Sequence, residues 1–267
     1  GTEKALIHDG TAFKEVAVSE FGGGSDIEDN MHKEWMSVQA RYDLAGVFTL
    51  NTQALTASGT QSVVARTGTS IYSSLSLQNY VTSTATGQNS GLKNNNSVDA
   101  YIRQGFDAFF LFANNSTDNQ HMTTVGSYSL VSAIPNLAIS SFTGDFFGVG
   151  NDVGDTNLSF YAHRVTASGQ TASYTKVDCG SDFPAHTTTD AYLLRLEAPK
   201  TEVETDRFIK MTITNIVTGI SFTHTFPYTE TPVLSRNFVA VINRNNRNSG
   251  TATNIRFGKY NLVKKSY

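Results

Sequence analysis

The stretch Phe208-Ile209-Lys210-Met211-Thr212-Ile213-Thr214-Asn215-Ile216-Val217-Thr218-Gly219-Ile220-Ser221-Phe222-Thr223-His224-Thr225-Phe226 decides the fold class. In its first half Ile209, Met211 and Ile213 fall on one side of an extended chain, with Lys210, Thr212 and Thr214 on the other. Successive side chains of a strand point to opposite faces, so strict alternation marks a strand with one buried face. Asn215 to Gly219 supplies turn residues. Phe222, His224 and Phe226 then alternate with Thr223 and Thr225, so the whole unit reads as a β-hairpin.

Further strands lie on both sides of it. Tyr192-Leu193-Leu194-Arg195-Leu196-Glu197 and Leu158-Ser159-Phe160-Tyr161-Ala162-His163 read as strands as well. Phe106-Asp107-Ala108-Phe109-Phe110-Leu111-Phe112 is apolar on both sides, as a central strand covered on both faces would be. Asn237 to Asn243 and Ile255 to Leu262 supply the last two strands, joined by the polar loop Arg244 to Gly250. Asn51 to Asn96 is dominated by Thr, Ser, Asn and Gln. It reads as edge strands and long loops, because Val63-Val64 and Ile71-Tyr72 give it something to bury. No 3.6-residue periodicity occurs after Arg41.

Short strands separated by Gly, Asn, Thr and Ser loops specify a sandwich or a barrel. A body of about 225 residues holds about twelve to fifteen strands, which favours a two-sheet jelly roll. The predicted architecture is therefore all-β: a jelly-roll sandwich of two antiparallel sheets over 41–267, preceded by a short N-terminal arm over 1–40. Within the arm, Gly22-Gly23-Gly24 beside Asp26, Glu28 and Asp29 reads as a hinge. Thr11 to Val18 is expected to be a short strand, and Met31 to Val38, around Trp35, one or two helical turns. The arm has too few apolar residues for a core of its own.

Composition narrows the function classes. Of 267 residues, 39% are hydrophobic, 11% aromatic and 16% charged, which is too little charge for a coiled coil and too much aromatic content for disorder. A net charge of −3 gives no drive toward nucleic acid. The single cysteine, Cys179, has no internal disulfide partner. No apolar run approaches the ~20 residues of a membrane-spanning helix, so membrane insertion is not expected. Gly1-Thr2-Glu3-Lys4 lacks the basic start of a signal peptide, and the absence of an initial Met is expected of a chain that is processed, trimmed or cut from something longer.

Charge is unevenly spread. No acidic residue follows Glu230, whereas 7 of the 20 basic residues do, so the first 230 residues carry 13 bases against 23 acids, about −10, and the remainder +7. Such asymmetry fits a solvated or internally matched face, or a contact surface for an acidic neighbour. The interface candidates are Arg244, Arg247, Arg256, Lys259, Lys264 and Lys265, with the Glu20 to Asp29 segment of an adjacent chain as one acidic partner.

Catalytic signatures are sparse. There is no Gly-x-Ser-x-Gly and no His-Glu-x-x-His, and the six histidines are scattered at 8, 32, 121, 163, 186 and 224. Gly148-Val149-Gly150 is followed by a strand, so no helix N-terminus is available for a phosphate. Paired carboxylates of the glycosidase kind are approached only by Asp26-Ile27-Glu28-Asp29, in the hinge, and by Glu202, Glu204 and Asp206, on one side of an extended segment where a solvated turn is the ordinary explanation. No catalytic residue and no cofactor are expected. Asp152, Asp155 and Asn157 offer hard oxygen ligands within one loop that a calcium ion could use, but Asp and Asn also serve tight turns, and turn chemistry is the better reading.

The run Phe147-Gly148-Val149-Gly150-Asn151-Asp152-Val153-Gly154-Asp155-Thr156-Asn157-Leu158-Ser159-Phe160-Tyr161 resembles a segment of bacteriophage virion proteins. The pieces that follow match in order: Ala167-Ser168-Gly169, Thr175-Lys176-Val177-Asp178-Cys179-Gly180, Tyr192 to Pro199, Thr214 to Gly219, the loop Asn245 to Thr253, and Tyr260. The resemblance covers about 100–267 well, 41–100 loosely, and the arm not at all. It implies a concanavalin A-like sandwich carried on a phage particle, as in tail fibres, receptor-binding proteins and head fibres. It further implies a homotrimer attached through its N-terminal portion to other virion proteins and displaying the sandwich outward, and the expected role is contact with a host-surface glycan or a neighbouring virion protein, in host recognition or in decoration of the capsid or tail. That family has no general catalytic motif, so no functional residue carries over. The basic tail here departs from the acidic ending common in the family. A carbohydrate-binding module or lectin is the alternative, with Tyr72, Tyr80, Tyr101 and Tyr161 as stacking candidates. A glycan-degrading enzyme is the third reading.

Overall fold

The computed structural model describes residues 4–8, 13–17, 41–42, 48–50, 53–58, 60–63, 78–81, 84–94, 100–129, 137–166, 171–247 and 249–265. The chain separates into two units, Gly1–Gln39 and Ala40–Tyr267. In the first, β1 (Lys4–His8) pairs antiparallel with β2 (Phe13–Ala17), Lys4 opposite Ala17 and His8 opposite Phe13. The strand expected near Thr11 to Val18 is β2. Its partner β1 was not anticipated, since Leu6-Ile7 is too short an apolar run to announce a strand. The glycine hinge and the predicted helical turns around Trp35 lie outside the described residues.

The second unit begins with β3 (Arg41–Tyr42), β4 (Phe48–Leu50), β5 (Gln53–Ser58), β6 (Thr60–Val63), β7 (Gln78–Val81), β8 (Asn89–Asn94) and β9 (Ala100–Tyr101). It continues with β10 (Phe106–Asn114), β11 (Met122–Tyr128), β12 (Phe146–Asn151), β13 (Ser159–Val165) and β14 (Thr171–Asp178). The last strands are β15 (Tyr192–Ala198), β16 (Phe208–Asn215), β17 (Ile220–Pro227), β18 (Asn237–Asn245) and β19 (Asn254–Lys264). One sheet has seven strands in the order β17-β16-β15-β10-β19-β7-β6. The other has ten, in the order β14-β13-β12-β11-β18-β8-β5-β4-β3 with β9 also on β18. The fold is an all-β jelly-roll sandwich of two antiparallel sheets. Among the described residues no helix is long and apolar enough to cross a membrane.

The two sheets hold more strands than the twelve to fifteen expected, because the Thr- and Asn-rich stretch supplies β5 to β8. Ladder hydrogen bonds need no apolar side chains, so sparse apolar spacing hides such strands. The hairpin that decided the fold class is β16–β17, with Ile209, Met211 and Ile213 all fully buried. Asn215 accepts the Gly219 N–H at 2.8 Å, and Gly219 takes φ +76°, a region that favours glycine.

The main core fills the space between the sheets. Phe106, Phe110, Phe112, Leu194, Leu196 and Met211 come from the seven-stranded sheet, and Val125, Phe147, Val149, Phe160 and Ile242 from the ten-stranded one. Phe106 meets Phe147 across the gap with ring centroids 5.9 Å apart, and Phe147 in turn meets Phe238 at 4.5 Å. Each such ring contributes roughly 1.5–3 kcal/mol by leaving water. β10 is the middle strand of its sheet, but only one of its faces is sealed. Asp107 and Leu111 are half-buried on the other, where the Arg195 guanidinium lies 5.5 Å over the Phe109 ring. The acidic run at Glu202 to Asp206 is not extended: Glu204–Asp206 forms a 3₁₀ turn whose Glu204 carboxylate pairs with Arg207 and accepts the Leu234 N–H.

The ten-stranded sheet also buries part of its outer face. Met122, Tyr128, Phe146, Tyr161 and Val241 point away from the main core and are covered by Ile139 and Phe142 of the connection between β11 and β12. Phe142 is wedged among Tyr128, Phe146 and His163, its ring 5.6, 5.8 and 6.4 Å from theirs.

Candidate functional site

Alternation along β11 and β18 puts Thr124 and Asn243 on that outer face, between the positions of Met122 and Gly126 on one strand and Val241 and Asn245 on the other. Register then builds two rows. Gly91, Asn243, Thr124, Gly150 and Ser159 stand side by side across β8, β18, β11, β12 and β13. Val241, Gly126, Gly148, Tyr161 and Lys176 form the next row, from β18 to β14. The floor between them is bare backbone. A Cβ on Gly126 would stand 2.4 Å from the Phe147 carbonyl oxygen, and one on Gly148 2.2 Å from that of Val125, so only glycine fits at either position. Ile139 sits over this floor, its Cδ1 being 3.1 Å from where a Gly150 Cβ would stand.

Beside these rows the loop after β12 forms an acidic and aromatic corner. Lys176 Nζ lies 2.6 Å from Asp155 Oδ2, and the Tyr161 hydroxyl donates to the same oxygen at 3.2 Å. The Lys176 ammonium is 5.7 Å from the centre of the Tyr161 ring. Asp152 N–H donates to Asp155 Oδ2, while Asp152 Oδ1 accepts the Ile139 N–H at 3.0 Å and so ties down the covering segment. Burial raises the Asp152 pKa, with the Asp155 charge adding to it. Burial first, then the charges of Asp152 and Asp155, hold Tyr161 protonated, and burial pushes Tyr174 up to about 12. These tyrosines are hydrogen-bond donors at neutral pH, not bases.

Beside the first row Asn89, Asn243 and Asn245 converge. Both Asn243 and Asn245 donate their amides to Asn89 Oδ1, at 3.2 and 2.7 Å. Thr124 Oγ1 and Asn243 Oδ1 are left buried with no hydrogen-bond partner.

A second polar cluster closes one end of the sandwich interior. Arg244 is fully buried; it donates to the hydroxyls of Thr253 and Thr123, to the Ala185 carbonyl, and toward His186 Nδ1 at 3.4 Å. No carboxylate touches its guanidinium among the described residues, and burial lowers its pKa to about 9. His121, also fully buried, meets the Ser116 hydroxyl through Nδ1 at 2.8 Å and stands 3.4 Å from Asp118 through Nε2. Burial, with the Arg244 charge behind it, drops the His121 pKa to about 4. The same two causes lower His186. The Ser249 hydroxyl donates to Asp118 at 2.7 Å and is the main reason that its pKa is lowered.

The residues singled out in the sequence fall in different places. Asp152, Asp155 and Asn157 are not gathered around one point: Asp155 is engaged by Lys176, Asp152 by Ile139, and Asn157 donates to the Asp178 carboxylate at 3.2 Å. Arg244, offered as an interface candidate, is an interior residue and is unavailable to a partner. Its place in a polar loop hid that, since β18 extends past it to Asn245. Lys265 lies 4.0 Å from Asp107 of its own chain, and Arg236 is 2.6 Å from buried Asp145. Arg247 and Arg256 also have partners within the chain. The side chains of Lys259 and Lys264, and the whole of Tyr72, lie outside the described residues, as does the Tyr80 side chain. Tyr161 is wholly buried, and half-buried Tyr101 carries the Arg103 guanidinium 5.5 Å over its ring. Cys179 is a buried core thiol whose pKa burial raises. Thr124, Asn243 and the glycine floor were not picked out in the sequence; the one trace was Gly148-Val149-Gly150, which serves a flat strand rather than a phosphate loop.

No protein-family model matches the chain, and no curated protein matches it. A protein of unknown function from Shewanella oneidensis MR-1 is similar in structure over 92% of this chain and 98% of its own, with 13% identity and a TM-score of 0.52. A legume lectin-like domain from Entamoeba histolytica aligns over 79% of this chain and 89% of its own, at 12% identity and a TM-score of 0.49. A carbohydrate esterase from the Shiga toxin-encoding bacteriophage phi24B aligns over 79% and 90%, at 13% and 0.45. At these identities the likeness is one of fold.

Proposed function

We propose that this chain is a bacteriophage virion protein of the tail-fibre or head-fibre type, whose sandwich is a non-catalytic module that recognises a host-surface glycan. The observation that carries the reading is the outer face of the ten-stranded sheet. Beneath Ile139 and Phe142 it holds hydroxyls, amides and tyrosines beside a glycine floor, which is the mixture that binds polyhydroxylated ligands, and among the described residues its carboxylates are already engaged. Asp155 is held by Lys176 and Tyr161, and Asp152 by the Ile139 amide. No pair of unengaged carboxylates lies beside the glycine floor among the described residues, which favours recognition over hydrolysis. The ordered series of motifs shared with virion proteins supports the particle setting, with a homotrimer joined to other virion proteins.

The test is threefold. Light scattering of the purified chain should give the mass of a trimer. An array of bacterial surface polysaccharides should give specific binding, lost on host cells stripped of their glycan. Incubation with the bound glycan should release no reducing ends and no unsaturated products. Steady product release would turn the reading to an enzyme, and a monomer binding free glycan would turn it to a lectin.

A further inference from the structure

We propose that Thr124 and Asn243 form a subsite for one uncharged sugar ring on the outer face of the ten-stranded sheet. This rests on the glycan-recognition reading and names the residues and the ligand class within it. Thr124 and Asn243 are direct neighbours in register, one on β11 and the other on β18, and both side chains turn away from the main core. Their exposures are 1% and 0%. Even so, Thr124 Oγ1 and Asn243 Oδ1 find no hydrogen-bond partner.

Polar atoms buried in that state are costly, and native structures keep few of them. Here the two occur as a contiguous pair, next to a floor where Gly126, Gly148 and Gly150 carry no side chains. A hydroxyl oxygen that both donates and accepts stands beside an amide oxygen that only accepts. That pair is complementary to neighbouring hydroxyls of a sugar ring: one donates to Asn243 Oδ1, and the other exchanges a hydrogen bond with Thr124 Oγ1. A carboxylate at the same place would set its negative oxygens against Asn243 Oδ1, so a neutral ring is preferred to a uronate.

Entry requires Ile139 to leave its place over Gly150. Its N–H is tied to Asp152 and its carbonyl to the Phe142 N–H, while the Phe142 ring is locked among three others. Admission of a ring therefore costs both of these hydrogen bonds and the burial of Ile139, with Phe142 kept in place by its ring contacts.

The test is calorimetric titration of the full chain with glucotriose, galactotriose, mannotriose and a triglucuronate, on the wild type and on Thr124→Val. Valine keeps the shape of threonine and removes only the oxygen. The expected result is binding of at least one neutral trisaccharide, weakened about tenfold or more by Thr124→Val, since a site oxygen losing its partner costs about that much. The melting temperature of Thr124→Val should be equal to or above that of the wild type, because the lost oxygen had no partner. Thr212→Val, on the outer face of the other sheet, should leave binding unchanged. Hydrogen exchange on the wild type should slow within 122–126 and 239–245 on adding the trisaccharide, a readout that needs no variant. If the wild type binds none of the four sugars and no polysaccharide on the array, the glycan reading itself fails. If it binds and Thr124→Val binds equally well, the subsite is wrong and the reading stands. Preference for triglucuronate, or a melting temperature several degrees lower in Thr124→Val, also overturns the subsite.

Discussion

Acidification from pH 7 to pH 4 should loosen one end of the sandwich by an amount set largely by His121. In the unfolded chain this imidazole has the ordinary value of 6.5, whereas burial and the Arg244 charge hold it at about 4 in the folded protein. Below pH 6.5 the unfolded state takes up a proton that the folded state refuses, so stability falls as pH falls and levels off once pH passes 4. A difference of about 2.5 units at 1.36 kcal/mol each gives about 3 kcal/mol, a large part of the 5–15 kcal/mol of a typical domain. His186 and His163 are lowered as well and act in the same direction. Asp145 and Asp152, raised by burial, act oppositely, because the folded state accepts their protons more readily. Urea unfolding of the wild type and of His121→Gln at pH 7, 6, 5 and 4 separates these contributions. Glutamine does not titrate, so the wild type should lose about 3 kcal/mol more than the variant over this range. Parallel pH profiles for the two proteins would refute the assignment of a neutral, proton-refusing His121.

Other consequences are read more simply. Gly148→Ala sets a Cβ 2.2 Å from a backbone oxygen that cannot step aside, and should cost about 3 kcal/mol by thermal or urea unfolding. Arg244→Met removes the charge that helps depress His186, so the His186 pKa followed by NMR should rise toward its ordinary value. Lys176→Met removes a partly exposed ion pair with Asp155, and stability should change by less than about 1 kcal/mol. Cys179, a buried thiol with a raised pKa, should resist a thiol reagent in the native protein and react at once in denaturant.

The strands with alternating apolar residues were legible because their chemistry is local. Ile209, Met211 and Ile213 signal a buried face within seven residues, and they are buried. The strands between Gln53 and Asn94 were read only as edges and loops, because a ladder of backbone hydrogen bonds leaves no mark on side-chain pattern. β8 nevertheless sits between β18 and β5. Arg244 was misread for a related reason. Charge in a sequence suggests surface, and only the meeting of Thr123, Thr253, Ala185 and His186 around one guanidinium gives it a place inside.

The Thr124–Asn243 pair and the glycine floor were illegible because their members are joined by register rather than by spacing. Gly126 and Gly148 face each other across β11 and β12, and Thr124 faces Asn243 across β11 and β18, so no window of sequence holds the arrangement. The contrast with the other outer face is instructive. On the seven-stranded sheet Lys265, Asp107, Arg195, Glu197 and Lys210 pair in a chain, and Thr212 with Thr223 and Thr214 with Ser221 share hydrogen bonds at 2.9 and 2.7 Å. That face satisfies its hydroxyls across neighbouring strands. On the ten-stranded sheet the corresponding neighbours of Thr124 are a glycine and an asparagine that leave its oxygen without a partner. Valine at 124 would remove that destabilisation without changing the packing, so stability alone does not account for threonine there. The proposed sugar would supply the missing hydrogen bonds, which is why binding and melting temperature are expected to move in opposite directions in Thr124→Val.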